Sequence, residues 1–294
     1  MIAITGANGQ LGRATVDYLT RIISPSKIIA VVRDPNALDT AWKDQVQVRC
    51  ADYAHPETLD QALAGISILL QISSTITGAE GMQQERNVAE AAARAGVKHI
   101  IYTSSLMADT TAEFTGSRQA ATTEAVIRNS GMFYTFFRNS LYMELILQIA
   151  GEVFEGGDIC YPAKYARMSF VSRNDIAEAL ALVIHYADKH RNQTYEISGP
   201  AAWSMFDVCE MLRQEKKLCC RYISIEEKEY RDVLQSLHFS PGLEEQLCSM
   251  AAGISVGEFS LVDDALEQLL GRKRTGLPAF IKGIQLPSRV ADLF

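Results

Sequence analysis

The feature that most limits the fold of this chain is a loop with three glycines spaced three residues apart, which follows the first apolar run. The run is Ile2-Ala-Ile4, the loop is Gly6-Ala-Asn-Gly-Gln-Leu-Gly12, and a helical pattern covers residues 14–19. Small residues between a strand and a helix let phosphate oxygens approach main-chain N–H groups, and the helix N-terminus adds a partial positive charge. The loop therefore predicts a pyrophosphate site. Its GxxGxxG spacing differs from the common GxGxxG fingerprint, and a purely structural turn is the alternative.

The second strand ends in a residue that can select the cofactor. Ile28–Val32 is a continuous apolar run, typical of a strand buried on both faces of a parallel sheet, and Arg33-Asp34 follows it. In a dinucleotide-binding fold an arginine at this point can pair with the 2′-phosphate of NADP, whereas an acidic residue accepts from the 2′-hydroxyl of NAD. Arg33 therefore favours NADP(H), and Asp34 leaves NAD(H) open.

Strand and helix patterns alternate through the first 140 residues. Strand patterns cover 46–50, 66–72, 99–103 and 133–137, and helical patterns cover 56–63, 82–95 and about 119–129. This order predicts an α/β fold, a Rossmann-like doubly wound parallel sheet that binds its ligand beyond the carboxyl ends of the strands. Phe133, Phe136 and Phe137 are predicted to be sheet core. The polar residues expected at the carboxyl ends of the strands, where the ligand would bind, are Asn8, Arg33, Asp52, Ser73, Ser74, Thr103 and Asn139.

The pattern becomes mostly helical in the second half. Ser172 and Ser204 are placed to cap helices, Ser224-Ile-Glu-Glu227 is a capping-box pattern, and Pro241 begins another helix. We expect an NAD(P)-binding domain over 1–150 and a smaller, mostly helical lobe over 151–294, which forms a cleft above the cofactor. The strand and helix near 168–198 are expected to rejoin the core.

Composition and charge disfavour several kinds of protein. The 294 residues include 28 basic and 35 acidic side chains, a net charge of −7, so nucleic-acid binding through a broad basic face is disfavoured. Apolar runs stay short of the roughly 20 residues of a membrane span, and the six cysteines form no CxxC pair. We therefore expect a cytoplasmic protein without a metal site.

Four segments resemble a known family. They are Thr5-Gly-Ala-Asn-Gly-Gln-Leu-Gly12, Val31-Val-Arg-Asp-Pro35, Gly96-Val-Lys-His-Ile-Ile-Tyr-Thr-Ser104 and Tyr134-Thr-Phe-Phe-Arg-Asn-Ser-Leu-Tyr142. The chain resembles the atypical short-chain dehydrogenases of the NmrA-like and triphenylmethane-reductase-like group, especially the bacterial type-2 NAD(P)H:quinone oxidoreductases. The resemblance extends over nearly the whole chain.

This resemblance implies a flavin-free enzyme that binds NADPH and passes hydride to a quinone or a similar electron-poor acceptor. It assigns Arg33 to the 2′-phosphate, Asp52 to the adenine, and Ser73 and Ser74 to the ribose and phosphate side. Thr103, at the end of its strand, is expected to contact the cofactor at the same edge. Asn139 and Tyr142 would line the substrate pocket. The pyrophosphate would be held by Gly6, Asn8, Gly9, Gln10, Leu11 and Gly12.

Two departures from that family leave other functions open. No Tyr-xxx-Lys pair occurs in the chain, and Ala120 stands where this group usually has Lys or His at the start of a helix. Ordinary carbonyl reduction is disfavoured, because nothing supplies its proton. The alternatives are an NmrA-like dinucleotide sensor that regulates a protein partner, and an enzyme similar to sugar-nucleotide epimerases or isoflavone reductases. A monomer or a homodimer is expected.

Overall fold

The computed structural model describes residues 1–38, 40–149 and 157–285. Its strands are β1 (Ile2–Thr5), β2 (Ile28–Val32), β3 (Gln47–Cys50), β4 (Ile68–Gln71), β5 (His99–Ser105), β6 (Phe133–Asn139), β7 (Ile159–Cys160), β8 (Arg167–Met168), β9 (Gln193–Ile197), β10 (Trp203–Ser204) and β11 (Tyr222–Ile223). Its α-helices are α1 (Gln10–Ile22), α2 (Pro56–Ala62), α3 (Gly78–Arg94), α4 (Thr115–Asn129), α5 (Leu145–Ile149), α6 (Arg173–His185), α7 (Met205–Lys216), α8 (Glu227–Ser236), α9 (Pro241–Ser255), α10 (Ala265–Leu270) and α11 (Leu277–Gly283).

Seven strands form one parallel sheet in the order β3-β2-β1-β4-β5-β6-β9. Every neighbouring pair in it is parallel. The first six strands have the order of a doubly wound dinucleotide-binding fold, in which ligands lie beyond the carboxyl ends where the strand order reverses. The predicted Rossmann-like α/β fold is confirmed.

Both faces of the sheet are covered by helices, and this explains the continuous apolar runs. All five residues of β2 are buried, as expected of a strand with helices on each side. Successive side chains of a strand point to opposite faces, so Ile4 packs with α1, α6 and α10 while Ala3 packs with α2, α3 and α4.

A second core lies in the C-terminal region. Met143, Phe170, Met205, Leu212 and Ile254 are buried together in it, and the short pairs β8 with β10 and β7 with β11 border it. From the same half of the chain, α6 packs beside α1 and β9 extends the central sheet next to β6. The predicted boundary between residues 150 and 151 lies outside the described residues, so the division into domains stays a prediction.

Three helix starts follow the predicted capping residues, and one does not. Ser172 accepts from the Asp175 N–H, Ser204 forms a capping box with Asp207, and a helix begins at Pro241. The prediction for Ser224 is wrong, because α8 begins three residues later at Glu227 and no side chain caps it. Among the described helices, none has the length and apolar character that crossing a membrane requires.

Two predictions about the sheet and its helices are corrected by long-range contacts. Helix α4 begins at Thr115, four residues earlier than predicted, and the Glu258 carboxylate accepts from the N–H groups of Glu113 at 2.5 Å and Phe114 at 3.2 Å just before it. Phe133 is not sheet core. It lies at the start of β6 with 40% of its surface exposed, and the Arg191 guanidinium covers its ring at 4.3 Å.

Candidate active site

The glycine loop brings the amino end of α1 close to β1. Gly6 has a φ of 63°, and its carbonyl accepts from the Gly9 N–H at 2.9 Å, which turns the chain tightly. A Cβ on Gly12 would overlap the Gly6 carbonyl oxygen and lie 2.7 Å from Ala7 Cα. No side chain caps α1, so the unpaired N–H groups and partial positive charge of its first turn can bind a pyrophosphate.

A cleft of about 700 Å³ lies over the carboxyl ends of the central strands. It brings together ten of the predicted site residues, namely Gly6, Gly9, Gln10, Leu11, Gly12, Ser73, Ser74, Thr103, Asn139 and Tyr142. Residues that the sequence did not indicate also line it, among them Glu85, Phe114, Gln119, Leu141, Glu144, Arg173, Gln246, Met250 and Phe259.

Three predicted residues lie outside this lining. Asn8 follows β1 and donates to the Ala37 carbonyl at 3.4 Å, which ties the glycine loop to the segment after β2. Arg33 is exposed directly after β2. Asp52 accepts from the Ala54 N–H at 3.0 Å within its own turn. These three residues therefore lie toward the β2 and β3 side of the sheet, outside the cleft. In a Rossmann fold the adenosine half of a dinucleotide lies on that side.

Hydrogen bonds between neighbouring strands hold the hydroxyl side chains at the middle of the cleft. The Ser73 N–H donates to Thr103 Oγ1 at 2.9 Å, and the Thr103 hydroxyl lies 3.3 Å from Ser73 Oγ. The Ser74 hydroxyl donates to Gln84 Oε1 at 2.7 Å. Because Ser73 follows β4 and Thr103 lies in β5, these bonds fix the two strand ends relative to each other.

A buried carboxylate, Glu85, lies beneath these hydroxyl groups. Its Oε1 accepts from the Ser74 N–H and from Gln119 Nε2, both at 2.8 Å. Its Oε2 accepts from the Tyr102 hydroxyl at 2.5 Å and from the Thr123 hydroxyl at 2.7 Å. The side chain is 0% exposed. Burial raises the pKa of Glu85, and the four donors oppose that shift.

Asn139 and Tyr142 line the far end of the cleft. Asn139 is buried at the end of β6, and neither its Nδ2 nor its Oδ1 has a hydrogen-bond partner among the described residues. Burial raises the pKa of Tyr142 to about 12, although the Arg173 guanidinium and the neighbouring Asn139 side chain, which does not reach full hydrogen-bond geometry with the phenol, oppose that shift. Arg173 lies 5.2 Å above the Tyr142 ring and donates to the Gln10 side chain. This end therefore carries a neutral phenol and an unpaired buried amide.

The wall beyond Tyr142 is apolar and aromatic. Leu141, Phe114, Met250 and Phe259 line it, and the Phe114 and Phe259 rings meet edge to face at 5.8 Å. Two of these residues belong to the C-terminal half of the chain, so the cleft closes only when that half packs against α4. Such a surface suits a planar, apolar molecule.

The described lining contains few groups that could donate a proton. It includes no lysine and no histidine, and Ala120, 2% exposed, occupies the position on α4 discussed above. Tyr102 is core and donates to Glu85. The described residues contain no group of three or more His, Cys, Asp or Glu side chains that could hold a metal.

Comparison with known proteins identifies the family. The model of the NmrA-like family matches residues 1–280. This chain belongs to the NmrA-like family. Among curated relatives, quinone oxidoreductase 2 of Escherichia coli strain K12 is 36% identical over 279 residues, which cover 94% of this chain and 96% of that protein.

Two solved structures of relatives have the same fold. A Citrobacter triphenylmethane reductase complexed with NADP(H) superposes with a TM-score of 0.88 at 32% identity, over 96% of this chain and 99% of that one. An NADPH-dependent quinone oxidoreductase from Escherichia coli, complexed with NADPH, gives a TM-score of 0.87 at 34% identity, over 96% and 98%. Both relatives were thus crystallised with a nicotinamide cofactor.

Proposed function

We propose that this NmrA-like protein is an NAD(P)H-dependent, flavin-free reductase that transfers hydride to a quinone or a similar electron-poor acceptor. One observation carries the proposal: a single cleft joins the glycine loop of β1 and α1 to an aromatic wall, with the unpaired amide of Asn139 between them. Relatives named for quinone and triphenylmethane reduction, two of them with bound NADP(H) or NADPH, support the same chemistry.

The residues of this chain fit the cofactor. Only glycine can occupy position 12 beside the Gly6 carbonyl, and this close packing lets phosphate oxygens approach the loop. Asn139 offers a donor nitrogen and an acceptor oxygen, both buried and unpaired among the described residues, which complements a primary carboxamide such as that of nicotinamide. We assign Arg33 to the 2′-phosphate, Asp52 to the adenine side, and Ser73, Ser74 and Thr103 to the ribose and phosphate side.

Bound NADPH would supply a hydride. The protein then needs mainly to orient the cofactor and the acceptor, and acid catalysis is less important. Tyr142 stays protonated at neutral pH because its pKa is about 12, so it can donate a hydrogen bond to an acceptor oxygen. Electron-poor acceptors take hydride readily, and solvent can protonate their products. Turnover is therefore compatible with the absence of a Tyr-xxx-Lys pair and with the presence of alanine at position 120.

The aromatic wall limits the acceptor to a small, apolar, planar molecule. Phe114, Phe259 and Met250 offer surface but no charge. We further propose a cytoplasmic reaction, carried out by a monomer or a homodimer that needs neither flavin nor metal.

The decisive experiment measures the loss of NADPH absorbance with a simple benzoquinone, followed by calorimetric titration of NADPH and NADH. Arg33→Ala should reduce the preference for NADPH by about tenfold, the size of one charge-assisted contact. Arg213→Ala is the matched control, because this arginine of α7 pairs only with Glu210 at 3.5 Å among the described residues. An unchanged preference in Arg33→Ala would refute the role assigned to Arg33.

Tight NADPH binding without turnover on a broad panel of acceptors would overturn the reductase proposal. That result, together with different affinities for NADPH and NADP⁺ and capture of a protein partner, would favour the dinucleotide sensor.

A further inference from the structure

In the described lining of the cleft, Arg173 is the only cationic side chain. It is the first residue of α6, it follows the N-cap Ser172, and 20% of its side chain is exposed. A guanidinium keeps its charge at neutral pH, because its ordinary pKa exceeds about 12. The cleft therefore contains a fixed positive charge that none of the roles proposed above uses.

The contacts of Arg173 place this charge beside the glycine loop. Its Nη1 donates to the side chain of Gln10, which is the first residue of α1. In a Rossmann fold the amino end of this helix binds the pyrophosphate of the dinucleotide. The guanidinium also lies 5.2 Å from the centre of the Tyr142 ring, a distance typical of a cation–π contact. Arg173 therefore lies between the glycine loop and the acceptor end of the cleft.

The ion pair of Arg173 with Glu144 leaves both partners incompletely bonded. Arg173 Nη1 and Glu144 Oε1 are 3.9 Å apart, whereas a charge-assisted hydrogen bond is about 2.7–2.9 Å long. Glu144 Oε2 is buried and has no hydrogen-bond partner among the described residues. A guanidinium carries several N–H donors, and the side-chain hydrogen bond of Arg173 within the described part of the chain goes to Gln10. Its other donors are available to a ligand.

We propose that Arg173 binds the pyrophosphate of the nicotinamide cofactor, together with the amino end of α1. This inference rests on the cofactor of the proposed reductase function. Each phosphate carries a negative charge, and a guanidinium can bind two of its oxygens through parallel N–H donors. The loop Gly6–Gly12 contains no cation, and its N–H groups contribute only partial charges. Arg13, directly after this loop, donates to the Asn8 carbonyl at 2.7 Å and is not part of the described lining.

This role differs measurably from the role assigned to Arg33. NADPH and NADH share the pyrophosphate and differ in the 2′-phosphate. Loss of Arg173 should therefore weaken both cofactors by the same factor and leave the preference for NADPH unchanged, whereas loss of Arg33 should change the preference.

The experiment titrates NADPH and NADH by calorimetry into wild type and variants. Arg173→Gln should weaken both cofactors by about tenfold, the size of one charge-assisted contact. Arg173→Lys, which keeps the charge but not the planar group, should stay within about threefold of wild type. Arg213→Gln is the matched control for the loss of one positive charge, because Arg213 is not part of the described lining, and it should change neither affinity.

Glu144→Gln tests whether the ion pair serves the ligand or only the fold. In this variant the carboxylate no longer attracts Arg173 and no longer repels the phosphates, so both cofactors should bind about threefold more tightly. The two partners of one ion pair should thus shift the affinity in opposite directions. A purely structural pair would weaken binding in both variants.

Each contrary result identifies a different error. Equal losses in Arg173→Gln and Glu144→Gln refute the inference, because the pair would then only shape the cleft. A loss for NADPH alone would assign Arg173 to the 2′-phosphate. Unchanged affinities with a raised KM for a sulfonated naphthoquinone, but not for benzoquinone, would assign it to an anionic acceptor. All three results leave the reductase proposal standing, whereas failure of the wild type to bind either cofactor refutes both proposals.

Discussion

Replacement of Asn139 by leucine should stabilise this protein and impair its function. Both polar atoms of this carboxamide are buried without a partner in the part of the chain that the structure describes, and an unpaired buried polar group costs about 1–3 kcal/mol. Leucine has the same branching with no polar atom, so Asn139→Leu removes that cost. The methyl groups of leucine are slightly larger than the amide atoms, and the strain that they introduce cancels part of the gain in stability.

The net expectation is an increase of about 2 kcal/mol in the free energy of unfolding. For a chain of this size, that gain corresponds to an increase of roughly 3 °C in Tm without ligand. The same variant should lose about tenfold or more in kcat/KM with NADPH and benzoquinone, because it can no longer donate or accept in the cleft. Differential scanning calorimetry without ligand and steady-state kinetics test the two halves of this prediction.

Asn87→Leu is the matched control. Asn87 is also a buried asparagine, but its Nδ2 donates to the Tyr53 carbonyl at 2.8 Å and its Oδ1 accepts from Gln83 Nε2 at 2.8 Å. Leucine there should destabilise the protein by about 1–3 kcal/mol, since it leaves the Tyr53 carbonyl unpaired. If Asn139→Leu lowers Tm as Asn87→Leu does, the amide is satisfied in the free protein and the reasoning is wrong.

Three further predictions follow from particular contacts. Gly12→Ala should lower stability by roughly 1–3 kcal/mol and weaken NADPH binding, whereas Gly242→Ala, with nothing within 4 Å of its new Cβ, should do neither; thermal unfolding with and without NADPH tests both. Burial lowers the pKa of His99 from 6.5 to about 4. The unfolded chain therefore binds the proton first, and stability should fall as pH drops from about 6.5 to about 4, by on the order of 2 kcal/mol after solvent screening; a urea series over this range should be flatter for His99→Gln. Glu258→Ala should cost about 1–2 kcal/mol by uncapping α4 and should raise the KM for benzoquinone more than the KM for NADPH.

The architecture could be predicted from local patterns in the sequence. The apolar run of Ile28–Val32, the three-residue glycine spacing and the alternation of strand and helix predicted the sheet, its edge and ten residues that do line the cleft. These signals are local because side-chain period and turn conformation depend on neighbouring residues. The exposed position of Phe133 was missed because its ring packs under Arg191 instead of entering the core, and the start of α8 was missed because no side chain caps it where the capping-box pattern stands.

Glu85 shows where such reasoning ends. In the sequence it is one charged residue of an alanine-rich helix, and its spacing of three and four from Val88 and Ala89 was the only sign that it belonged to the buried face. Its donors come from the end of β4, from β5 and from α4. Only the assembled sheet and helices show that this carboxyl group is buried, hydrogen-bonded and adjacent to the cleft.

By itself, the sequence determined the doubly wound sheet, the tight glycine turn before α1 and the residues placed at the ends of the strands, because each depends on the order and spacing of nearby residues. Among the described residues, the tertiary structure alone decided that neither polar atom of Asn139 is paired, that Glu85 is buried beside donors from separate elements, and that Glu258 accepts from the N–H groups just before α4, 145 and 144 residues earlier in the chain. Burial and hydrogen-bond pairing depend on contacts between distant segments, and no local pattern encodes them. The cofactor loop can therefore be predicted from thirteen residues, while the chemistry beside it depends on the whole fold.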